Sequence, residues 1–193
     1  MKKLLVFALV AMVAGFAGAQ TLQGIANSYV YDVSNDTWYQ ASGTNSWATG
    51  GAFQGHDFGI VSSLTLGGQT ATWEGGSPNT EADMGWEVFA GATSVAQGNV
   101  DLSWINNSGG QYGTDSTWES LTGANVAAGL APDTVHTVAV WFSATDGNTT
   151  VWDSNNGKNY IASFTTAPIP EPATMGLLGL GAVALALRRK MSK

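Results

Sequence analysis

The sequence predicts an all-β protein, an antiparallel β-sandwich or jelly roll. Three observations support this class. The interior of the chain is rich in Gly, Ser, Thr, Asn and Trp, which is typical of strands joined by tight turns. Short apolar or alternating runs recur between turn signals, and no stretch keeps a helical period of 3.6 residues.

The strand candidates follow one another along the chain. They cover residues 28–33, 58–66, 70–74, 85–90, 99–105, 136–144, 149–152 and 159–165. The clearest alternation is in 135–143, where one set, His136, Val138, Val140 and Phe142, alternates with the other, Val135, Thr137, Ala139, Trp141 and Ser143. Gly67-Gly68 and Asp146-Gly147 are predicted hairpin turns, because glycine accepts the positive φ that such turns need.

The N-terminus has the three-part pattern of a secretory signal peptide, residues 1–19. Lys2 and Lys3 precede an apolar run at 4–16, which is too short for an ordinary membrane span. Small residues then offer a site for signal peptidase. The cleavage-site residues are Ala17, Ala19 and Gln20.

The C-terminus carries a second membrane-directed signal. A Pro-rich spacer at 168–172 leads into a short apolar segment at 173–187, predicted to be a single transmembrane helix, and a basic end at 188–193. The basic end should stay cytoplasmic, which places 20–167, the predicted exported domain, outside the inner membrane. The residues that carry the pattern are Pro170, Glu171, Pro172, Arg188, Arg189 and Lys190.

This tail resembles the PEP-CTERM sorting signal. The Pro-Glu-Pro tripeptide, the Gly-rich apolar segment and the basic end occur together in the last 26 residues, with a signal peptide at the other end of the chain. The resemblance implies processing by exosortase, a membrane protease, after transient anchoring in the inner membrane. It also implies a final location at the cell surface or in an extracellular matrix rich in polysaccharide.

The charge distribution excludes several partners. Residues 20–167 keep one basic residue, Lys158, against thirteen acidic residues, so their net charge is 1 − 13 = −12. Nucleic acid is excluded, because phosphate binding needs many basic side chains. The chain has no cysteine, which excludes disulfides and thiolate metal sites.

Tryptophan is the most distinctive residue type, with eight in the chain. Trp104 and Trp141 lie within strand patterns and are predicted to be core residues. Four others lie in polar, turn-rich surroundings, where an exposed ring beside amides and carboxylates could stack on a sugar. These carbohydrate-binding candidates are Trp38, Trp47, Trp118 and Trp152, and burial in the core is the alternative for each.

Residues 151–160, Val-Trp-Asp-Ser-Asn-Asn-Gly-Lys-Asn-Tyr, resemble the Trp-Asp-Asn-Asn-Gly-x-Asn-Tyr segment of starch-binding carbohydrate-binding modules, apart from the inserted Ser154. The resemblance implies a β-sandwich and adds Asp153, Asn155, Asn159 and Tyr160 to the binding candidates. A structural Asn-Gly turn is the alternative. Asp153, Asn155 and Asn159 could instead hold a structural calcium ion through oxygen ligands.

The sequence gives little support for catalysis. His56 and His136 lie in no recognised motif, and no cofactor is expected. The glutamates that could form a glycosidase pair are Glu74, Glu81, Glu87 and Glu119. The first hypothesis is therefore an exported, non-catalytic surface or matrix protein. A carbohydrate-binding module for neutral extracellular polysaccharide is the alternative, and a glycoside hydrolase ranks third.

Overall fold

The computed structural model describes residues 23–43, 47–74, 79–107 and 116–169, and they form an all-β fold, as predicted. Within these ranges no residue is helical, so the described part of the chain contains no membrane-spanning helix. The predicted signal peptide (1–19) and apolar segment (173–187) lie outside the described residues. The strands are β1 Gln23–Asp32, β2 Thr37–Ser42, β3 Asp57–Val61, β4 Thr65–Glu74, β5 Glu81–Ala90, β6 Thr93–Asn107, β7 Ser116–Asn125, β8 Val135–Thr145, β9 Thr150–Asp153 and β10 Tyr160–Thr166.

The strands form one continuous curled sheet rather than two separate sheets. Their order is β2-β1-β4-β7-β6-β5-β8-β10-β3, and β9 pairs with β8. The long strand β6 joins the two halves: it pairs with β5 as far as Leu102, and from Ser103 it pairs with β7. The sandwich prediction was therefore right about the class, but the layers are two halves of a single sheet that share β6.

The inner faces of the two halves pack against each other to form the core. Val30 on β1 and Val138, Phe142 and Phe164 on β8 and β10 are completely buried. Gly68 on β4 faces the other half so closely that a Cβ atom there would lie 2.8 Å from the sulfur of Met84. Burial of these apolar side chains is the main stabilising contribution in a domain that has no disulfide.

The segment that follows β2, residues 50–61 including β3, connects the two ends of the curled sheet. Phe53 N donates a 2.8 Å hydrogen bond to Gln40 O on β2. A few residues later, Gly55 N donates to Ile161 O on β10 at 2.7 Å. Residues 50–61 thus pair first with one end of the sheet and then with the other, and this leaves less free sheet edge.

Gly67 and Gly68 were predicted to form a hairpin turn, and this prediction is wrong. Both lie inside β4, beside a bulge in its pairing with β7. A Cβ atom on Gly67 would lie 2.2 Å from Ser120 O, so close approach of the backbones requires glycine here. The other predicted hairpin is confirmed: Gly147 has a φ of 88° between the antiparallel strands β8 and β9.

His136 is a buried polar residue in this apolar core. Its ring is 2% exposed and stacks on Phe164 with 5.3 Å between ring centroids. Neither ring nitrogen has a hydrogen-bond partner among the described residues. A desolvated polar group without a partner lowers the stability of the folded state.

We therefore expect His136→Leu to raise the free energy of unfolding by about 1–2 kcal/mol, because an apolar side chain of similar size removes the unsatisfied nitrogens. Urea unfolding at pH 7.5 measures this change. His56→Leu is the control, since His56 is only half-buried, and should leave the stability nearly unchanged. A loss of stability in His136→Leu would contradict the prediction and indicate a water molecule bound to the ring.

Candidate functional site

The structure corrects the prediction for one tryptophan and decides between the alternatives for another. Trp104, predicted in the core, is 53% exposed, whereas Trp118, a carbohydrate-binding candidate with burial as the alternative, is 6% exposed and so buried. The two residues are paired across β6 and β7 and so point to the same side of the sheet. Trp118 is covered by the opposite half, and its Nε1 donates to Thr72 Oγ1 at 3.3 Å. Trp104 lies on the part of β6 that has left β5, and its ring stays accessible.

A cleft opens where β6 leaves β5 to pair with β7. This β6 cleft has a volume of about 520 Å³. Trp104 forms part of its wall, and the buried residues Leu102 and Trp118 line its inner part. The other lining residues are polar or small: Thr80, Glu81, Ala82, Asp83, Asn99, Asp101 and Ser103. The cleft therefore combines accessible aromatic surface with hydroxyl, amide and carboxylate groups.

Two carboxyl groups of the cleft interact directly. Asp83 on β5 and Asp101 on β6 are opposite each other in the strand pairing. Burial raises the pKa of Asp83, and the negative charges of Asp101 and Glu81 and a hydrogen bond with Asp101 raise it further. A negative charge placed this close disfavours ionisation of Asp83. The carboxyl oxygens of the two residues can accept hydrogen bonds from a ligand in the cleft.

The raised pKa of Asp83 predicts how Asp83→Asn changes stability with pH. A carboxyl whose pKa is higher in the folded state destabilises the fold while it is ionised, and this penalty disappears below the unfolded value of 3.8. Asp83→Asn should therefore raise the melting temperature near pH 7, with a gain that shrinks as the pH falls towards 4. Melting curves from pH 4 to 8 test this, and a gain that grows on acidification would contradict it.

The outer face of the sheet continues from the cleft to Trp152. Asp101, Asp83, Ser143 and Trp152 follow one another in register across β6, β5, β8 and β9. Trp152 is 62% exposed at the far end of this row. At a strand spacing of ~4.8 Å, the row spans roughly 14 Å, about the length of three sugar units.

In the next row of the same face, the Trp141 ring covers Gly85. Trp141 and Asn99 lie opposite Gly85 on the two neighbouring strands. A Cβ atom on Gly85 would lie 2.2 Å from the Trp141 ring, so the ring lies flat over the glycine. The prediction of Trp141 as a core residue was wrong, because its side chain packs on the outer face and is half-buried there.

The polar groups of the 152–160 loop hold strands together. The Asp153 carboxylate accepts hydrogen bonds from the hydroxyls of Ser42 and Tyr160, and so ties β9 to β2 and β10. Burial and the bond to Asp153 raise the pKa of Tyr160 to about 12. Asn155 donates to Asn159 O at 3.2 Å, and both residues have positive φ. Only Trp152 of this segment presents a large exposed ring.

The calcium hypothesis finds no further support in this geometry. Both oxygens of Asp153 already accept hydrogen bonds within the fold. In the described ranges, no group of three or more His, Cys, Asp or Glu side chains is placed to hold a metal ion.

The two remaining binding candidates belong to an aromatic cluster on the outer face of β1 and β2. Trp47 contacts Tyr29 and Trp38, with centroid separations of 4.3 and 5.4 Å, and Trp38 packs on Tyr31. Trp47 is 44% exposed and Trp38 is half-buried. Both rings cover tyrosines, so much of their apolar surface is already used in packing.

The catalytic candidates are not brought together. His56 packs on Tyr39 and Phe58, and His136 lies in the core. Glu81 and Glu87 are six residues apart on β5, which places them ~20 Å apart. Glu119 accepts a 2.8 Å hydrogen bond from Gln69, and the side chain of Glu74 lies outside the described residues.

Comparison with known proteins identifies the tail. Residues 168–190 match the PEP-CTERM protein-sorting motif, and this match includes Pro170, Glu171, Pro172 and the basic Arg188, Arg189 and Lys190. The motif implies exosortase as the processing partner, with export across the inner membrane to a surface or extracellular location. No curated protein matches the chain.

Proposed function

We propose that this exported exosortase substrate is a non-catalytic surface or matrix protein whose β6 cleft binds neutral extracellular polysaccharide. The observation that carries the proposal is the position of Trp104. Its ring is 53% exposed inside a cleft of about 520 Å³ that also presents carboxyl, amide and hydroxyl groups.

Each part of the cleft fits a sugar. The exposed face of Trp104 offers apolar area to the C–H faces of a pyranose ring, and its burial by a ligand would be favourable. Asp83, Asp101 and Asn99 can accept or donate hydrogen bonds to hydroxyl groups around that ring. These interactions orient the ligand, as a few placed polar groups do in other apolar binding sites.

The charge of the domain selects among polysaccharides. The −12 charge of residues 20–167 and the acidic rim of the cleft oppose uronate-, sulfate- or phosphate-containing chains. Trp152 lies in the same row of the sheet as Asp83 and Asp101, so a longer neutral chain could extend from the cleft across the outer face.

The arrangement of the carboxyl groups favours binding over hydrolysis. Glycosidases hold their two carboxyl groups at least ~5 Å apart, so that the sugar carbon or a water fits between them. Asp83 and Asp101 lie directly opposite each other on neighbouring strands, side by side on one face of the sheet with their Cβ atoms ~5 Å apart, rather than on two sides of a bound sugar. Glu81 and Glu87 are too far apart to act together.

Titration of the intact secreted protein with neutral and anionic polysaccharides tests this function. We expect neutral glucans to change the tryptophan fluorescence with saturation, and uronate-rich chains to have no effect at the same concentration. A broad glycan array provides the wider test. If no neutral glycan bound in either experiment, the binding function would be wrong, and a purely structural role in the matrix would remain.

A further inference from the structure

The folded domain ends close to the sorting motif. Thr166, the last residue of β10, donates from Oγ1 to Ala131 O at 2.6 Å and accepts a 3.1 Å hydrogen bond there from Thr134 N. Ala167 N then donates to Val61 O at 2.8 Å. Pro170, the first residue of the Pro-Glu-Pro tripeptide, follows three residues later. Even a fully extended chain places it within ~11 Å of Ala167.

An uncharged groove surrounds the point where the chain leaves the domain. This exit groove has a volume of about 400 Å³ and is formed by residues 61–62, 127–130, 132 and 166–169. Its apolar lining includes Val61, Leu130, Pro132, Pro168 and Ile169, and none of its lining residues is charged. Ile169 is 72% exposed at its rim. A groove without charged lining residues is unusual on a domain whose net charge, over residues 20–167, is −12.

Exposed apolar residues also lie on the opposite face of the same strands. Ile60 on β3 and Val135 on β8 are both opposite Thr165 in the strand pairing, so the three side chains share one face. Ile60 and Val135 are among the most exposed large apolar residues of the described chain. These side chains do not line the groove, because their chain neighbours Val61 and Thr166 point to its side of the sheet.

We propose that the exit groove is a docking surface for exosortase, which contacts it while the enzyme engages the Pro-Glu-Pro segment. The groove lies within ~11 Å of Pro170, so an enzyme that reaches the tripeptide must come against this face of the domain. An uncharged, apolar surface can be covered without the cost of desolvating charges. The folded domain then contributes to recognition together with the tail.

Two other occupants fit the groove less well. A lipid surface is broad and flat on this scale, whereas a groove of about 400 Å³ suits protruding side chains of a protein. The chain's own apolar segment begins at residue 173, after prolines at 168, 170 and 172. Prolines favour an extended spacer, so the composition of 168–172 does not favour a chain that folds straight back on itself.

The first test places a charge in the groove of the full-length chain in its producing cell. Ser62→Arg and Ala128→Arg alter exposed groove residues outside the 168–190 match, so the sorting motif stays intact. We expect the double variant to lose its C-terminus at least about fivefold more slowly in a pulse-chase experiment, because a charge would be buried at the contact. Ser94→Arg, an exposed position on β6 away from the groove, should be processed at the normal rate.

The second test separates exosortase from lipid as the occupant. A ten-residue Gly-Ser spacer inserted between Ala167 and Pro168, which leaves the 168–190 match intact, should also slow processing, because most of the groove no longer lies beside the Pro-Glu-Pro segment. If the Arg variants are slow but the spacer has no effect, the groove contacts lipid and the proposal is wrong. Normal processing of the Arg variants, with their domain still resistant to proteolysis, would also overturn it. Neither outcome depends on whether the β6 cleft binds polysaccharide.

Discussion

Gly123→Ala is expected to lower the free energy of unfolding by at least about 3 kcal/mol, which places it among the most damaging single changes in the domain. Gly123 lies in β7 with a φ of 58°, in the left-handed region where a side chain is strained. A Cβ atom there would also lie 2.4 Å from Leu66 O and 2.6 Å from Gly67 N. These are backbone atoms of β4, so relief requires the pairing of β4 and β7 to shift.

Gly91→Ala is the matched control for this prediction. Gly91 has a φ of 60°, but a Cβ atom on it would meet nothing within 4 Å. Its substitution should cost only the strain of the left-handed conformation, about 1–2 kcal/mol. Urea unfolding of both variants measures the difference. Equal losses would mean that the β4–β7 contact adjusts without cost, contrary to the prediction.

Trp104→Ala is expected to weaken binding of a neutral polysaccharide by roughly 10- to 100-fold, which corresponds to about 1.5–3 kcal/mol of lost ring burial. The fold should change little, because Trp104 is 53% exposed. Isothermal titration with the best ligand from the glycan array measures the affinity. The melting temperature of the variant, which should be unchanged, shows whether the fold is intact.

Trp152→Ala distinguishes the β6 cleft from the 152–160 loop. Trp152 is 62% exposed and lies three strands away from Asp101 in the same row. Its loss should weaken binding of long chains and leave short oligosaccharides nearly unaffected. If Trp152→Ala abolished binding of short ligands while Trp104→Ala did not, the binding site would be the loop that resembles starch-binding modules.

Local patterns located most strands but could not identify all of them. The alternation around Val138 and Phe142 predicted β8 correctly, and in the structure its large apolar residues Val138, Val140 and Phe142 share one buried face. The strands β2 and β7 were not among the candidates. Both are rich in polar residues, and the Thr and Ser side chains of β7 do not form an apolar run.

The environment of each tryptophan was the least predictable feature. Trp104 and Trp118 point to the same side of paired strands, yet one is accessible and the other is buried. A strand pattern shows which face a side chain is on, but the presence of a covering layer depends on long-range strand order. The pairing of Asp83 with Asp101 likewise depends on a register that neither residue's neighbours reveal.

The sequence by itself determined the class of the domain, its acidic charge and its export route. These properties follow from composition and from short contiguous signals, and the PEP-CTERM match at 168–190 depends on a contiguous segment. Only the tertiary structure decided which surface can act as a binding site. The β6 cleft exists because one strand changes partners between Leu102 and Ser103, and the exit groove exists because residues from three distant segments meet beside Ala167. Both depend on contacts between residues far apart in the chain, which local residue patterns do not specify.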